Sequence, residues 1–510
     1  MDFEQTLLNV KDLKQRLQYA STLPEKLVLE ICSKNTELNQ TVCLNEDYWK
    51  IRYLKNNTVP TTEPKSWKEL YLFSDVNIVW SFGNNSNGQL GLRLGTNDTS
   101  FPTKIPNLPR TVNQIVTGTN SSFIIDSNDE IWSFGENDHG QLGLGDTTTR
   151  SSPTKIPTVE GWDGKAKHIT NNGFHTLFID SNDDVWSFGK NEHGQLGLGD
   201  ATERLVPTQI PNIKAKQIAC GENHSLILDI NDNVWSFGKN ISGQLGLGDD
   251  TERNKPTKIP IVEGWNGKSE HIACGSGYSL IIDMNGDLWS FGNNYVGQLG
   301  LGDSGVLDVN FQTTDRNKPT QIPNVDGWNG KAKQIACSDY HSVIIDLNDN
   351  IWSFGYNYRG QLGLGDRNEP TQIPNIKAKQ IAIGSAYLLI IDINNKVLSF
   401  GNNSFGQLGL GDYQNRTSFT PVHVPGEILQ IACGGLHSMI LTSNHTLLPF
   451  DEITNMFSQG EVTNFEIEHN LQIHYQALQG IYIGTFTDKQ GQKKYGYIRY
   501  DQETNQILKP

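Results

Sequence analysis

One phrase recurs seven times in this chain: Trp-Ser-Phe-Gly and then, one residue on, Asn, two variable residues and Gly-Gln-Leu-Gly. The copies begin at Trp80, Trp132, Trp186, Trp235, Trp289 and Trp352, and the last replaces Trp with Leu398. A fixed phrase returning about every 50 residues marks a repeat architecture, in which each unit cannot bury its own apolar face and must stack on its neighbours. It constrains the fold more than any bulk property does. It also means that a residue type found at one place in the phrase usually has a structural reason to be there.

The fourth unit shows how a repeat reads. His224-Ser225-Leu226-Ile227-Leu228-Asp229 and Val234-Trp235-Ser236-Phe237-Gly238 are two short strand-like runs around an Asn/Asp turn, a hairpin signal. Gly-Gln-Leu-Gly allows a sharp reversal. A polar loop and Pro-Thr-x-Ile-Pro follow, the prolines suiting an outer strand, and Ile-Lys-Ala-Lys-Gln-Ile-Ala-Cys-Gly returns inward. Four antiparallel strands per unit, seven times over, predict a mainly β chain forming a seven-bladed β-propeller. The repeated Trp is expected to fill the spaces between blades. Closure is expected in one blade built from both ends of the repeat region, with Lys68–Asp75 leading in as a degenerate first strand and Leu447–Phe450 as a degraded eighth copy. Such cross-terminal pairing hides the edges of an open ring. The expected layout is a helical segment over 1–60, the propeller over 69–450 and a β-hairpin extension over 451–510.

Charge narrows the partners. The 510-residue chain has a net charge of −15, and residues 69–450 carry 26 basic and 39 acidic side chains. An acidic body with no Lys/Arg run argues against nucleic acid. A hydrophobic content of 36% and a mean hydropathy of −0.47 argue against a membrane span, and the acidic start lacks the charge-then-apolar pattern of a secretory signal. Four of the six cysteines, Cys220, Cys274, Cys337 and Cys433, hold one repeat position, which Ile383 fills in another copy. Equivalent positions cannot all pair, so small buried hydrophobes in a reducing compartment, cytoplasm or nucleus, are expected.

These residues resemble the repeats of the regulator of chromosome condensation family, the RCC1-like propellers. The shared pattern is aromatic-Gly-x-Asn, Gly-Gln-Leu-Gly-Leu-Gly-Asp, Pro and Gly-x-x-His-Ser, over about three quarters of the chain. The resemblance implies the propeller fold strongly and function weakly, since members include a guanine-nucleotide exchange factor for a small GTPase, ubiquitin-ligase components and scaffolds. Exchange would need a projecting loop. The interval from Trp289 to Trp352 is 63 residues against 46–54 elsewhere, and its surplus carries Val306, Leu307, Val309 and Phe311 in a loop position. A second candidate surface is the rim formed by the two variable residues of each phrase. Early copies are polar or acidic; later ones bring Ile241, Tyr295, Val296, Tyr358, Arg359 and Phe405, and exposed aromatics with Arg are enriched in interfaces.

Some residues imitate catalytic sites. His175, His224, His341 and His437 recur before Ser or Thr, but Ser121, Tyr278 and Tyr387 take the same place in other copies. Symmetry sends them to different blades, so they cannot converge on one metal ion, and hydrogen bonding between strands is the expected role. The Asp of Gly-Leu-Gly-Asp is read as a turn cap. Trp162, Trp265 and Trp328 lie in a loop variant shared by three units. No catalytic constellation, metal site or cofactor motif is found.

The ends differ in character. Leu7, Leu8, Val10, Leu13 and Leu17 form a helical stripe. The order Leu23-Pro24, apolar helix, Tyr48-Trp49-Lys50 resembles a shortened F-box, with Leu23, Pro24 and Trp49 as its signature residues. That resemblance implies docking to a Skp1-type adaptor of cullin ubiquitin ligases. Asn-rich usage beside RCC1-like repeats resembles giant-virus proteins. In the tail, Ile481–Phe486 and Tyr495–Tyr500 around a Lys-Gln-Gly-Gln turn predict a hairpin. The expected function is a non-enzymatic protein-interaction platform acting as a monomer, with substrate reception for ubiquitylation or nucleotide exchange on a Ran-like GTPase as its specialised forms.

Overall fold

The computed structural model describes residues 77–443 except 94–96, 110, 306–312, 358–359 and 363–366. Outside that stretch it describes Leu17, Ala20, Val42 and five C-terminal strands. The described residues from 77 to 443 form seven four-stranded antiparallel blades. Blade 1 holds β1 (Ile78–Gly83) and β2 (Thr99–Lys104). Blade 2 runs through β3 (Val112–Thr117), β4 (Ser121–Asp126), β5 (Ile131–Gly135) and β6 (Arg150–Lys155), and blade 3 through β7 (Ala166–Asn171), β8 (His175–Asp180) and β9 (Asp184–Gly189) into β10 (Arg204–Cys220). Blade 4 continues from β10 with β11 (His224–Asp229), β12 (Val234–Gly238) and β13 (Arg253–Lys258). Blade 5 holds β14 (Ser269–Cys274), β15 (Tyr278–Asp283), β16 (Leu288–Gly292) and β17 (Arg316–Gln321). Blade 6 runs through β18 (Ala332–Cys337), β19 (His341–Asp346) and β20 (Asn350–Gly355) into β21 (Arg367–Ile383). Blade 7 continues with β22 (Tyr387–Asp392), β23 (Val397–Gly401) and β24 (Arg416–Pro421), and β25 (Glu427–Cys433) and β26 (His437–Ser443) return to blade 1.

Closure is cross-terminal. Blade 1 has the order β2-β1-β26-β25, and β1 pairs with β26 from Ile78↔Thr442 to Gly83↔His437. The Trp80 indole donates to Thr442 Oγ1 at 3.0 Å across the same seam. Lys68–Asp75, expected as a degenerate first strand, lies outside the described residues; the described N-terminal strands of the closing blade are β1 and β2. One expectation needs correcting. Leu447-Leu448 is not a further propeller copy: it forms β27, which pairs parallel with β30 (Lys493–Asp501). In the same C-terminal sheet β28 (Val462–Asn470) pairs with β29 (Ile481–Asp488), β29 forms a hairpin with β30, and β31 (Gln506–Ile507) edges β30. Contacts group residues 77–443 as one compact unit and the two flanks as another.

The links between blades explain why some strands merge. Where Pro-Thr-Gln-Ile-Pro runs directly into Asn-Ile-Lys-Ala-Lys, the outer strand of one blade and the inner strand of the next are one 17-residue strand, β10 or β21. Where an extension carrying Trp162, Trp265 or Trp328 intervenes, the strand breaks. Each inserted indole donates to a carbonyl three residues on, and its ring lies 6.0–6.5 Å from the repeat Trp of the following blade. Trp186, Trp289 and Trp352 are therefore buried, whereas Trp132 and Trp235, whose links lack the extension, stay partly exposed.

The repeat Trp is thus an uneven filler. The constant filler is Phe, which is at most 1% exposed in all seven copies. The last Gly of Gly-Gln-Leu-Gly lies beneath the Phe ring of the next blade: a Cβ on Gly143 would stand 2.9 Å from the Phe188 ring, and its φ of 71° already disfavours an L side chain. Each repeat Trp from Trp132 to Trp352 also closes its own hairpin. In blade 2 the Asp126 carboxylate accepts the N–H groups of Asn128 and Glu130 and the Trp132 indole at 2.8–3.0 Å. The same clamp joins Asp180 to Trp186, Asp229 to Trp235, Asp283 to Trp289 and Asp346 to Trp352.

Candidate interaction face

Each blade sends two loops to one end of the propeller: the Gly-x-x-His loop between its first and second strands, and the Asn-x-x-Gly-Gln-Leu-Gly loop between its third and fourth. Backbone bonds tie them together, as from Glu136 N–H to Asn120 C=O and from Lys190 N–H to Phe174 C=O. This end is the loop face; the hairpin turns and blade links occupy the opposite, turn face.

The longer loop is a constant frame holding two variable residues. In blade 3 Asn191 Oδ1 accepts Leu196 N–H at 2.9 Å, while its Nδ2 donates to the carbonyls of Asp200 (3.1 Å) and Thr202 (3.0 Å). Gln195 Oε1 accepts His193 N–H at 2.9 Å, and the Gln195 carbonyl accepts Ser225 Oγ from blade 4 at 2.8 Å. The Asn-to-Leu bond recurs in all seven blades, from Asn85 to Asn403. Asp200 and Arg204 close the loop at 2.6 Å, as Asp146–Arg150, Asp249–Arg253 and Asp412–Arg416 do elsewhere. The Thr202 N–H and the Arg204 guanidinium hold the Asp200 carboxyl below its ordinary range.

With both ends of the tip pair fixed, the first residue projects and the second lies half-buried. That holds for Ser86-Asn87, Asp138-His139, Glu192-His193, Ile241-Ser242, Tyr295-Val296 and Ser404-Phe405. Ile241 and Tyr295 are each 65% exposed. In blades 2 and 3 the tips pair across the blade boundary instead, His139 Nδ1 with Glu203 at 2.7 Å and His193 Nδ1 with Glu252 at 2.8 Å. Tyr358 and Arg359, the sixth pair, lie outside the described residues.

The long fifth loop keeps the frame. Asp303 and Arg316 close it at 2.5 Å, and Thr314, fully buried, donates to the Asn294 carbonyl at 3.1 Å. Val306, Leu307, Val309 and Phe311 lie outside the described residues, as do Leu23, Pro24 and Trp49 of the F-box-like segment.

The recurring His position forms a ring of bonds from each blade to the next. His175 Nε2 meets Ser225 Oγ at 2.8 Å, His224 Nε2 meets Ser279 Oγ at 3.0 Å and His437 Nε2 meets Ser122 Oγ at 2.8 Å. Each of those hydroxyls gives its proton to a Gln carbonyl, so the imidazole is the donor through Nε2. Tyr278 and Tyr387 do the same work, donating to the His341 and His437 carbonyls at 2.7 and 2.5 Å. Blade 7 offers Leu388 in place of Ser, and His341 Nε2 is buried without a hydrogen-bond partner there. Burial pushes all four histidines down to about 3. The cysteines pack between inner strands, with Cys220 Sγ 3.8 Å from the Thr170 carbonyl, and burial raises their thiols.

Two features were missed from sequence. The C-terminal ends of the seven inner strands surround a cavity of about 270 Å³ on the propeller axis, lined in part by Thr119, Asn172, Asp339 and Ser385. On the turn face the residue after the clamp Asp is exposed Ser in blades 2 and 3 (Ser127, Ser181) but exposed Ile230, Met284, Leu347 and Ile393 in blades 4–7. Aligning the turns would have found the second; the cavity required knowing which strand ends converge.

Comparison with known proteins agrees with this geometry. A model of the RCC1-like domain matches residues 67–271, and the regulator of chromosome condensation (RCC1) repeat matches 285–345, 348–391 and 394–441. The ultraviolet-B receptor UVR8 of Arabidopsis thaliana is 31% identical over 58% of this chain and 65% of its own length. The X-linked retinitis pigmentosa GTPase regulator of Canis lupus familiaris is 36% identical over 63% of this chain and 31% of its own. The chain thus spans less than two thirds of either relative. The crystal structure of Prp20p from Saccharomyces cerevisiae, reported with its binding to Gsp1p and histones, superposes with a TM-score of 0.64 at 21% identity, covering 76% of this chain and 95% of that one.

Proposed function

The chain belongs to the RCC1-repeat family, and from that premise we propose that it is a protein-interaction platform whose loop face engages a protein partner. One observation carries the reading: a frame held constant in every blade presents an exposed tip residue that ranges over Ser, Asp, Glu, Ile and Tyr in the described copies, with Ile241 and Tyr295 each 65% exposed. Exposed Tyr and Ile beside paired charges match the composition of recognition surfaces. Cross-linking mass spectrometry on partners co-purified with the full-length chain tests this. Cross-links should concentrate on the loop face of blades 4 and 5; cross-links confined to the turn face would refute it.

A more specialised form, nucleotide exchange on a Ran-like GTPase, is supported by the extra length of the fifth loop, whose flanking residues Asp303, Thr314 and Arg316 keep the loop frame, and by the fold shared with Prp20p, reported with its binding to Gsp1p. It requires faster release of a fluorescent guanine nucleotide from such a GTPase, lost when Val306–Phe311 is replaced by Gly/Ser. Unchanged release across a panel of small GTPases would remove it. Reception of substrates for a cullin-type ligase rests on the F-box-like residues Leu23, Pro24 and Trp49 alone. It requires a Skp1-type adaptor to be retained by the full chain and lost on substitution of those three.

A further inference from the structure

The axial cavity on the loop face has an unusual electrostatic state. Among the described residues, its lining contains one formally charged side chain, Asp339, and neither Lys nor Arg. Asp339 sits on the loop between β18 and β19, half-buried, with Ser385 of blade 7 bonding its carboxylate. A second carboxylate, Glu222 on the corresponding loop of blade 4, accepts a hydrogen bond from Ser276 of blade 5 and repels Asp339. Burial first, and Glu222 second, hold the Asp339 carboxyl above its ordinary range. Two hydroxyls thus satisfy lone pairs without supplying charge, and taking a carboxylate out of water without a counter-charge is costly.

Next to the lining residue Asp339 in the chain stands an exposed aromatic. Tyr340 is 52% exposed and packs edge-on against Tyr356 with ring centroids 6.4 Å apart. The exposed tips Ile241 and Tyr295 belong to blades 4 and 5, whose loops supply Glu222 and Ser276. The whole propeller is acidic besides, with 39 acidic and 26 basic side chains over residues 69–450.

We infer that the axial mouth receives a lysine or arginine side chain of the protein partner, seated against Asp339, with the segment that carries it lying over Tyr340 and the tips Ile241 and Tyr295. The inference rests on the platform reading above and names its partner's chemistry. A basic side chain supplies the counter-charge that the lining lacks. Its aliphatic stem lies along apolar surface while the head reaches the carboxylate, and the Tyr face adds a cation–π contact. The cavity, about nine times the roughly 30 Å³ a water occupies in the liquid, has room for such a head group. A bare divalent ion fits less well, because no three His, Cys, Asp or Glu side chains converge among the described residues. The acidic field of the propeller would steer a cationic segment toward it.

The test is fluorescence anisotropy on the full-length chain with a fluorescein-labelled decapeptide of alternating Arg and Leu. Two control peptides replace Arg by Glu or Leu by Ser. The Arg/Leu peptide should bind saturably, the Glu peptide should not, and the Arg/Ser peptide should bind more weakly. Asp339→Asn, which keeps the side-chain shape, should weaken binding at least about tenfold, Tyr340→Ala should weaken it a few-fold, and Asp163→Asn on the turn face should leave it unchanged. Equal binding by Asp339→Asn, or by the Glu peptide, overturns the assignment, and equal binding of the Arg/Ser peptide overturns the aromatic seat. If the peptide fails while Ile241→Glu/Tyr295→Glu still sheds co-purified partners, the mouth assignment falls and the platform stands. If that double variant retains every partner, the platform falls as well.

Discussion

Blades 3 and 5 have the same loop built for opposite neighbours. Asn191 and Asn294 make the same bond to Leu196 and Leu299, and Gln195 and Gln298 hold the same backbone N–H. Yet one frame lifts Glu192-His193, which engages Lys190 and Glu252 of its own chain, while the other lifts Tyr295 into solvent. Where frames are identical, any difference in what the two blades bind must come from the tips. Frame residues should therefore govern stability in both blades alike, and tips should leave stability alone.

The largest effect expected is on the frame. Phe188→Ala removes a fully buried ring from the blade 2–blade 3 interface and should cost about 3–5 kcal/mol, measured as a lowered urea midpoint. Phe291→Ala in blade 5 should match it, whereas Tyr295→Ala should fall within about 0.5 kcal/mol of the unsubstituted chain. A tip variant as damaging as a frame variant would break the distinction.

Acid comes next. His175, His224, His341 and His437 are held down to about 3 in the folded chain, against about 6.5 when unfolded. Between those values the unfolded chain binds more protons. Stability is therefore complete above about pH 6.5 and is lost as pH falls, with each His contributing a slope approaching about 1.4 kcal/mol per pH unit. Urea midpoints from pH 7 to 4.5 should show this decline. His224→Tyr, the residue other blades use at that place, should make it shallower, and an unchanged slope would exclude His224 from the ring.

Smaller again is the hydroxyl partner. Ser225→Ala leaves the His175 Nε2–H unpaired in a buried site and should cost about 1–3 kcal/mol. Blade 6 already lives with that situation at His341, opposite Leu388, so a neutral Ser225→Ala would mean the ring is packing alone. The smallest effect belongs to the blade 3 tip. Glu252→Gln removes an exposed pairing with His193 and should change stability by less than about 1 kcal/mol.

Much of the fold was legible because its determinants are local and repeated. The Asn/Asp turn, Gly-Gln-Leu-Gly and the paired strands each announce themselves within a dozen residues. The fourth residue of each of five hairpin turns, from Asp129 to Asn395, takes a left-handed φ of 61–69°, a conformation Asn and Asp tolerate. What depends on neighbouring blades was harder to read. Trp looked like the filler because it is larger, but Phe is the residue that meets the flattened Gly of the preceding blade. Leu447-Leu448 reads as a degraded eighth copy but pairs with β30 of the C-terminal sheet, since degenerate copies dissolve the pattern that locates the others. The rim is legible as a set of differences, and the structure adds that only the first residue of each described pair projects. The axial cavity was not legible, because its residues come from seven separated segments.

The central claim is that partner choice resides in the tips and not in the frame. It is tested most directly by grafting the blade 3 pair onto blade 5, as Tyr295→Glu/Val296→His, and comparing quantitative proximity labelling of the two full-length chains in cells. The grafted chain should keep its urea midpoint and lose the labelled partners of the parent. An unchanged partner set at unchanged stability would contradict it.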